Sequence, residues 1–252
     1  MKILIKLSYL GTNFCGYQVQ NGKRSIQGEL TRAARELFSY DCDITGCSRT
    51  DSGVHANMFC ATVSKRGEDG IETSLPPERI VRALNAHLPD DICVFSAEMV
   101  DDSFHPRYDV KYKEYVYRMY NGEARVPFES GRALILKKKF TPEQIEKMDA
   151  AAKRFVGKRD FSSFMAQGSQ VATTVREVMY ASVSERDGVI EFKVAADGFL
   201  YNMVRIMTGT LIAVAEGKIA VDQIDSVIAA ADRSRAGQTA PPEGLYLNLV
   251  VY

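Results

Sequence analysis

The 252-residue chain has no run of apolar residues long enough to span a bilayer. Its N-terminus, MKILIKLSYLGTNF, interrupts the apolar residues with lysines and lacks the continuous core of a signal peptide. Its five cysteines, Cys15, Cys42, Cys47, Cys60 and Cys93, are odd in number and include no CxxC pair. That pattern argues against a disulfide framework or a zinc site and fits a reduced, cytoplasmic setting. Only three histidines occur, His55, His87 and His105, too scattered to suggest a metal centre. Also missing are GxGxxG, GxxxxGK[ST] and HExxH, and GCSRT has threonine where a nucleophile elbow needs glycine. Net charge is absent too: 32 basic residues balance 32 acidic ones. A polyanionic partner would have to be met by local clusters, such as Lys137-Lys138-Lys139, Lys153-Arg154 and Lys158-Arg159.

What is present is an ordered alternation of strand and helix patterns. KILIKLSY (2–9) alternates like a strand, and SIQGELTRAARELF (25–38) is a helix capped by Ser25, with Ile26, Leu30, Ala33, Leu37 and Phe38 on one face. DCDITG and NMFCATVS read as strands. PPERIVRALNAHL is a helix with proline in its first turn, and DICVFSAEMV is a strand. The order is β-α-β-β-α-β, the split βαβ of a ferredoxin-like sheet.

The second half repeats it with longer parts. A tyrosine-rich strand covers 108–120, a helix from Thr141 runs to Gly157, and two strands flank the turn Arg186-Asp187-Gly188. An apolar helix over 202–217, a further helix over 221–232 and the strand GLYLNLVVY follow. The expected fold class is α+β, with two ferredoxin-like halves, residues 1–103 and 104–252, forming a continuous antiparallel sheet. Helices would cover one face, and an active-site cleft would lie at the seam.

The stretch GCSRTDSGVHA (46–56) concentrates the reactive side chains. Asp-Ser-Gly is ordinary turn chemistry, so the local residues leave both a solvated turn and a reagent open. A hydrolase using Ser52 with His55 would need a convergence that spacing cannot show.

RTDSGVHA resembles the signature GRTDAGVHA of the tRNA pseudouridine synthase A family. YLGTNFCGYQVQ with SIQGEL, ALNAHLPDDI, FHPRY, KYKEYVYRMYN, RDFSSF, DGFLYNMVRIMTG and EGLYLNLVVY resemble the family's other blocks in order, over almost the whole chain. Tyr17 stands where the family has tryptophan, Cys47-Ser48 replace Ala-Gly and Ser52 replaces alanine. Ile206-Met207-Thr208 replace a more typical Asn-Ile-Val.

The resemblance implies an isomerase acting on uridines 38 to 40 of the tRNA anticodon stem-loop, as a homodimer without cofactor or metal. It assigns Asp51 as the catalytic carboxylate, Arg205 as its cationic partner and Tyr115 as the active-site tyrosine. Leu245 would line the base pocket, and Arg49 would hold phosphate or displace the nucleotide. His105 and Arg107 would contact phosphates, as would the lysine clusters. Among apolar neighbours Met203, Val204, Ile206 and Met207, a guanidinium at 205 is expected to be buried and paired. For most of the tyrosines at 108, 112, 115, 117 and 120, packing in the sheet is expected. The alternatives are a catalytically idle RNA-binding protein of the same fold, or the same chemistry on other RNA uridines.

Overall fold

The computed structural model describes residues 1–124, 126–168 and 171–252, which form two compact units, Met1–Lys111 with Tyr246–Tyr252, and Tyr112–Leu245. The expected division at 103/104 thus differs on two points. The turn at 105–109 stays with the first unit, and so does the closing strand.

In chain order the first unit runs β1 (Lys2–Tyr9), α1 (Ile26–Phe38), β2 (Cys42–Gly46), β3 (His55–Lys65), α2 (Pro77–His87) and β4 (Ile92–Val100). The second runs β5 (Tyr112–Tyr120), β6 (Leu134–Ile135), α3 (Pro142–Lys153), β7 (Gly157–Asp160), β8 (Val175–Arg186), β9 (Val189–Ala196), α4 (Met203–Ala215) and α5 (Ile224–Ala229). β10 (Leu245–Val251) ends the chain.

The helices form where the pattern places them. Ser25 Oγ accepts from Gly28 N at 3.2 Å, and α1 buries Ile26, Leu30, Ala33 and Ala34. It ends at Ser39 in the left-handed region (φ 61°). α2 starts with Pro77, whose missing N–H costs nothing in a first turn, and buries Ile80 and Leu84. The two helices pack on each other, α1 against β2 and α2 against β4. β3 pairs antiparallel with β1 along one edge (Ile3↔Val63). Its other edge is shared: β2 takes residues 61–65 antiparallel, while β10 takes 55–56 parallel (Tyr246↔His55, Leu247↔Ala56). The parallel pair departs from the antiparallel expectation. β10 there fills the short length of edge that β2 leaves open.

Within the second unit the strand order is β6-β5-β9-β8-β7. These pairings are antiparallel except β5 with β6. The β8–β9 turn has Asp187 and Gly188 at φ 53° and 76°, the geometry that Asp-Gly favours in a tight hairpin. β5 starts at Tyr112 rather than 108, because His105–Asp109 form a turn. Asp109 Oδ2 accepts from His105 N at 2.8 Å, and His105 O accepts from Asp109 N. α3 has the expected capping box, Thr141 with Gln144, but ends at Lys153 instead of Gly157. There the chain unwinds to bury Phe155 against Phe164 and Phe192, at 5.2 and 6.5 Å between centroids. The segment expected as one helix over 221–232 is a short 3-10 turn followed by α5.

Among the described residues, no helix is long and apolar enough to cross a membrane, and no cluster of His, Cys, Asp or Glu could hold a metal ion.

Candidate functional site

The loop between β2 and β3 carries Asp51, and its backbone is fastened at several points. Cys47 N donates to Cys60 O at 2.8 Å, continuing the ladder past Gly46. The Thr50 hydroxyl lies 2.7 Å from that of Tyr9 in a buried pair, and Thr50 O accepts from Tyr17 N at 3.0 Å. Asp51 O accepts from Val54 N at 3.2 Å, closing a turn in which Gly53 takes φ 79°. The Asp51 side chain is half-buried.

Residues 9–17 clasp this loop so closely that two glycines are needed. A methyl on Gly11 would lie 1.9 Å from Val54 O. On Gly16, already at φ 106°, it would lie 2.8 Å from Thr50 O.

Ser52 and His55 do not form a nucleophile and base. Ser52 Oγ donates to Phe14 O at 3.1 Å. His55 is 0% exposed, its Nδ1 accepts from Gly11 N at 3.0 Å, and its ring stacks on Tyr246 at 4.6 Å. The histidine locks the glycine clasp to the start of β3. The Ser-His hydrolase alternative has no geometric support.

Arg49, His105 and Arg107 share one cleft of about 280 Å³ in the first unit, lined also by Tyr17, Gln18 and Tyr108. Asp51 is not among the described residues that line it. Tyr108 is 74% exposed, with its ring centroid 4.3 Å from that of His105 and 5.9 Å from the Arg107 guanidinium. The expectation of sheet packing fails for this tyrosine, because the Asp109-capped turn carries it outside β5. Two guanidinium groups, an imidazole and an open ring suit phosphate contact and base stacking. Sequence reasoning passed over Tyr108. The available signal was its place after Pro106-Arg107, in a polar turn. Tyr17 is buried, stacked on Phe59 at 4.5 Å, and its hydroxyl has no hydrogen-bond partner among the described residues. Burial pushes its phenol well above the ordinary tyrosine range, and the adjacent Cys47 adds to this.

In the second unit, Arg205 is half-buried on the first turn of α4. Its Nε donates to Ala240 O and its Nη1 to Asn202 Oδ1, both at 2.7 Å. Its own carbonyl accepts from Ala240 N at 3.0 Å. Asn202, at φ 60°, does not cap the helix with its side chain, which is turned to the arginine instead. The guanidinium is therefore held at a fixed angle, half-buried where the sequence predicts a buried one.

Tyr117 Oη donates to Pro241 O at 2.7 Å, and a methyl on Gly244 would lie 2.6 Å from Arg118 O. These contacts fix the segment from Ala240 to Leu245, with Arg205 at one end and the buried Leu245 at the other. Tyr115 is buried opposite Val194, edge-on to Phe199 at 5.0 Å.

Three of the four cations in the basic clusters at 153–154 and 158–159, Lys153, Arg154 and Arg159, are paired within the unit. Lys153 binds Asp149 at 2.7 Å, and Arg154 and Arg159 both donate to Asp225. Arg159 and Arg154 hold that carboxyl below the usual aspartate range.

A family model described as tRNA pseudouridine synthase matches residues 6–109 and 151–252. Full-length relatives named tRNA pseudouridine synthase A are similar throughout. The one from Thermoanaerobacter sp. (strain X514) is 38% identical over 250 residues, covering 99% of each chain. The one from Acetivibrio thermocellus is 40% identical over 253 residues, covering 100% of this chain and 99% of its own. The one from Clostridium botulinum (strain Eklund 17B / Type B) is 39% identical over 252 residues, with the same coverage.

Proposed function

The chain belongs to the tRNA pseudouridine synthase family, and on that premise we propose that Asp51 is the carboxylate with which it acts on uridines 38 to 40 of the anticodon stem-loop. The protein is an isomerase that converts uridine to pseudouridine in tRNA. The reaction breaks the N1–C1′ bond, turns the base and rejoins it through C5, and the proton on C5 moves to N1. Atoms and electrons balance without an oxidant, a reductant or water, so the chemistry asks for no cofactor.

An ionised carboxylate serves by attacking C1′, by adding to C6, or by removing a ribose proton. All three need it in one place. The observation that carries the reading is the fastening of Asp51's turn: Thr50 on Tyr9 and Tyr17, Ser52 on Phe14, and the closures at Gly11 and Gly16. Such a loop holds a reacting group where a solvated turn would let it wander.

In this reading Arg205 supplies positive charge to the carboxylate, and Tyr115 stacks on the extruded base or handles the C5 proton. Leu245 lines the base pocket. Arg49, His105 and Arg107 take phosphates or help displace the nucleotide from its stack, supported by their shared cleft. The same reading makes the protein a cytoplasmic homodimer whose two sites share one tRNA.

Tritium release from C5-labelled uridine in tRNA tests it, using the intact protein, Asp51→Ala and Ser52→Ala. Release by the intact protein and Ser52→Ala but not by Asp51→Ala is expected. Undiminished release by Asp51→Ala removes the carboxylate from the chemistry. Binding without release by the intact protein would favour the idle binder.

A further inference from the structure

The second unit contains a larger cleft, of about 1050 Å³, whose lining includes none of Asp51, Arg205, Tyr115 and Leu245 but takes in the cluster Lys137-Lys138-Lys139. One wall is a face of α4, with Gly209, Ile212, Ala213 and Glu216 at helical spacing. The facing wall is the segment 234–241, laid directly on the helix. A methyl on Gly209 would lie 1.7 Å from Gln238 O, and Gly237 N donates to Thr210 Oγ1 at 2.9 Å. The third side is residues 134–140, tied at both ends. Leu136 N donates to Tyr120 O at 3.1 Å, and buried Asn121 bonds both the N–H and the carbonyl of Phe140.

The cleft's lining holds five cationic side chains, Lys137, Lys138, Lys139, Lys218 and Arg235, against one carboxylate, Glu216. Glu216 pairs with Lys218, and Lys139 reaches Glu123 at 3.7 Å. Lys137, Lys138 and Arg235 make no ion pair among the described residues. On a chain with no net charge, this is a local excess of one sign around an apolar floor.

We propose that this cleft holds a stretch of the tRNA sugar–phosphate backbone, with Lys137, Lys138 and Arg235 on its phosphates and riboses over the α4 floor. The inference rests on the reading of tRNA as substrate and adds a binding surface to it. Three features select this occupant. The volume reaches the top of the roughly 300–1,000 Å³ range of small-molecule sites, more than a single phosphate fills. Unpaired lysine is depleted at interfaces between protein chains and abundant at those with nucleic acid. And the lysines sit on a stretch pinned at both ends, so their charges are presented together at little further cost in chain entropy. Lys137–Lys139 fall between the two blocks that the family model matches.

The test compares the intact full-length protein with Lys137→Ala/Lys138→Ala and, separately, with Arg235→Ala. A control, Lys65→Ala/Lys147→Ala, removes as much charge as the double variant from positions paired elsewhere with Glu68 and Glu143. Binding of unlabelled tRNA is measured against salt concentration, and tritium release gives KM and kcat. The double variant is expected to weaken binding and raise KM on the order of tenfold at physiological salt, with kcat within about twofold. The slope of log affinity against log salt should flatten by about two, one for each phosphate that is no longer neutralised. Arg235→Ala should flatten it by about one.

Affinity and slope equal to those of the intact protein overturn the proposal, as does an equal weakening in the control. A change of oligomeric state on sedimentation, with tRNA affinity unchanged, would also overturn it and make the cleft an interface between copies. If the intact protein binds tRNA but releases no tritium, the functional reading fails, while the affinity comparison still decides the role of the cleft.

Discussion

Arg205 and Tyr17 are polar groups in apolar surroundings with opposite arrangements. The arginine has Ala240 O and Asn202 Oδ1 to hold it, so its charge points in a set direction before any substrate arrives. A prepositioned charge helps where charge develops during reaction, and it adds little to holding the rest of a large ligand. Arg205→Ala is therefore expected to cut kcat for tritium release by about 10²–10³-fold and to change tRNA affinity by less than about threefold. Equal losses in both would make it a binding contact. Tyr17 keeps a buried hydroxyl without a hydrogen-bond partner among the described residues, which costs the fold the hydration of that group. Tyr17→Phe should raise stability by about 1 kcal/mol, seen as a higher urea midpoint at unchanged slope. A lower midpoint would mean that the hydroxyl is satisfied after all. The setting of Arg205 was legible in the sequence, because four apolar neighbours on a helix leave a guanidinium little choice but to find acceptors. That of Tyr108 was not: a tyrosine two residues after Pro106 continues an alternating strand on paper. Its place after Pro106-Arg107 was the one hint of a turn in the sequence, and the Asp109 cap shows that the chain has turned there.

Periodic elements were readable because their signals are local. Ser25, Thr141 and the Asp187-Gly188 turn each sit where their side-chain chemistry demands. The end of α3 was not readable, since it depends on Phe155 finding Phe164 and Phe192 from distant parts of the chain. The same holds for the clasp around Asp51. Gly11 and Gly16 look like ordinary loop glycines until β3 and its preceding loop are seen against them. That clasp links element packing to chemistry. Gly11→Ala forces a methyl into Val54 O, and the loop must shift by about an ångström or more to admit it. A displacement of that size in a reacting group costs about 10²-fold in rate. The expected outcome is a kcat lowered by about that factor, with tRNA affinity within a few-fold, because the cleft holding Arg49, His105 and Arg107 does not include Gly11. Unchanged kcat would show that the position of Asp51 is not set by this contact.

At the scale of the whole molecule, the first unit is built from both ends of the chain. β1 to β4 give the split βαβ pattern legible in the sequence. What the pattern could not show is that Tyr246–Tyr252 belong with them, since strand partners are chosen by packing across sequence distance. The attachments are numerous. β10 pairs with the start of β3, Tyr246 stacks on His55, and Lys111 N donates to Val251 O at 2.8 Å. Tyr252 Oη donates to Pro106 O at 2.9 Å, and its ring meets Phe104 at 5.0 Å. Ending the chain at Leu245 removes all of these. His55 would lose the ring that covers it, and the first residues of β3 would become an open edge. The damage lands on the strand that follows Asp51's loop, so local opening there becomes cheaper. Amide hydrogen exchange should find β1, β3 and β4 much less protected in the shortened chain. The paired amides of the β8–β9 hairpin, held within the other unit, serve as the internal reference. If β1 and β3 exchange as slowly as in the full chain, the first unit is complete without its last strand, and the far end of the polypeptide contributes nothing to holding the Asp51 loop in place.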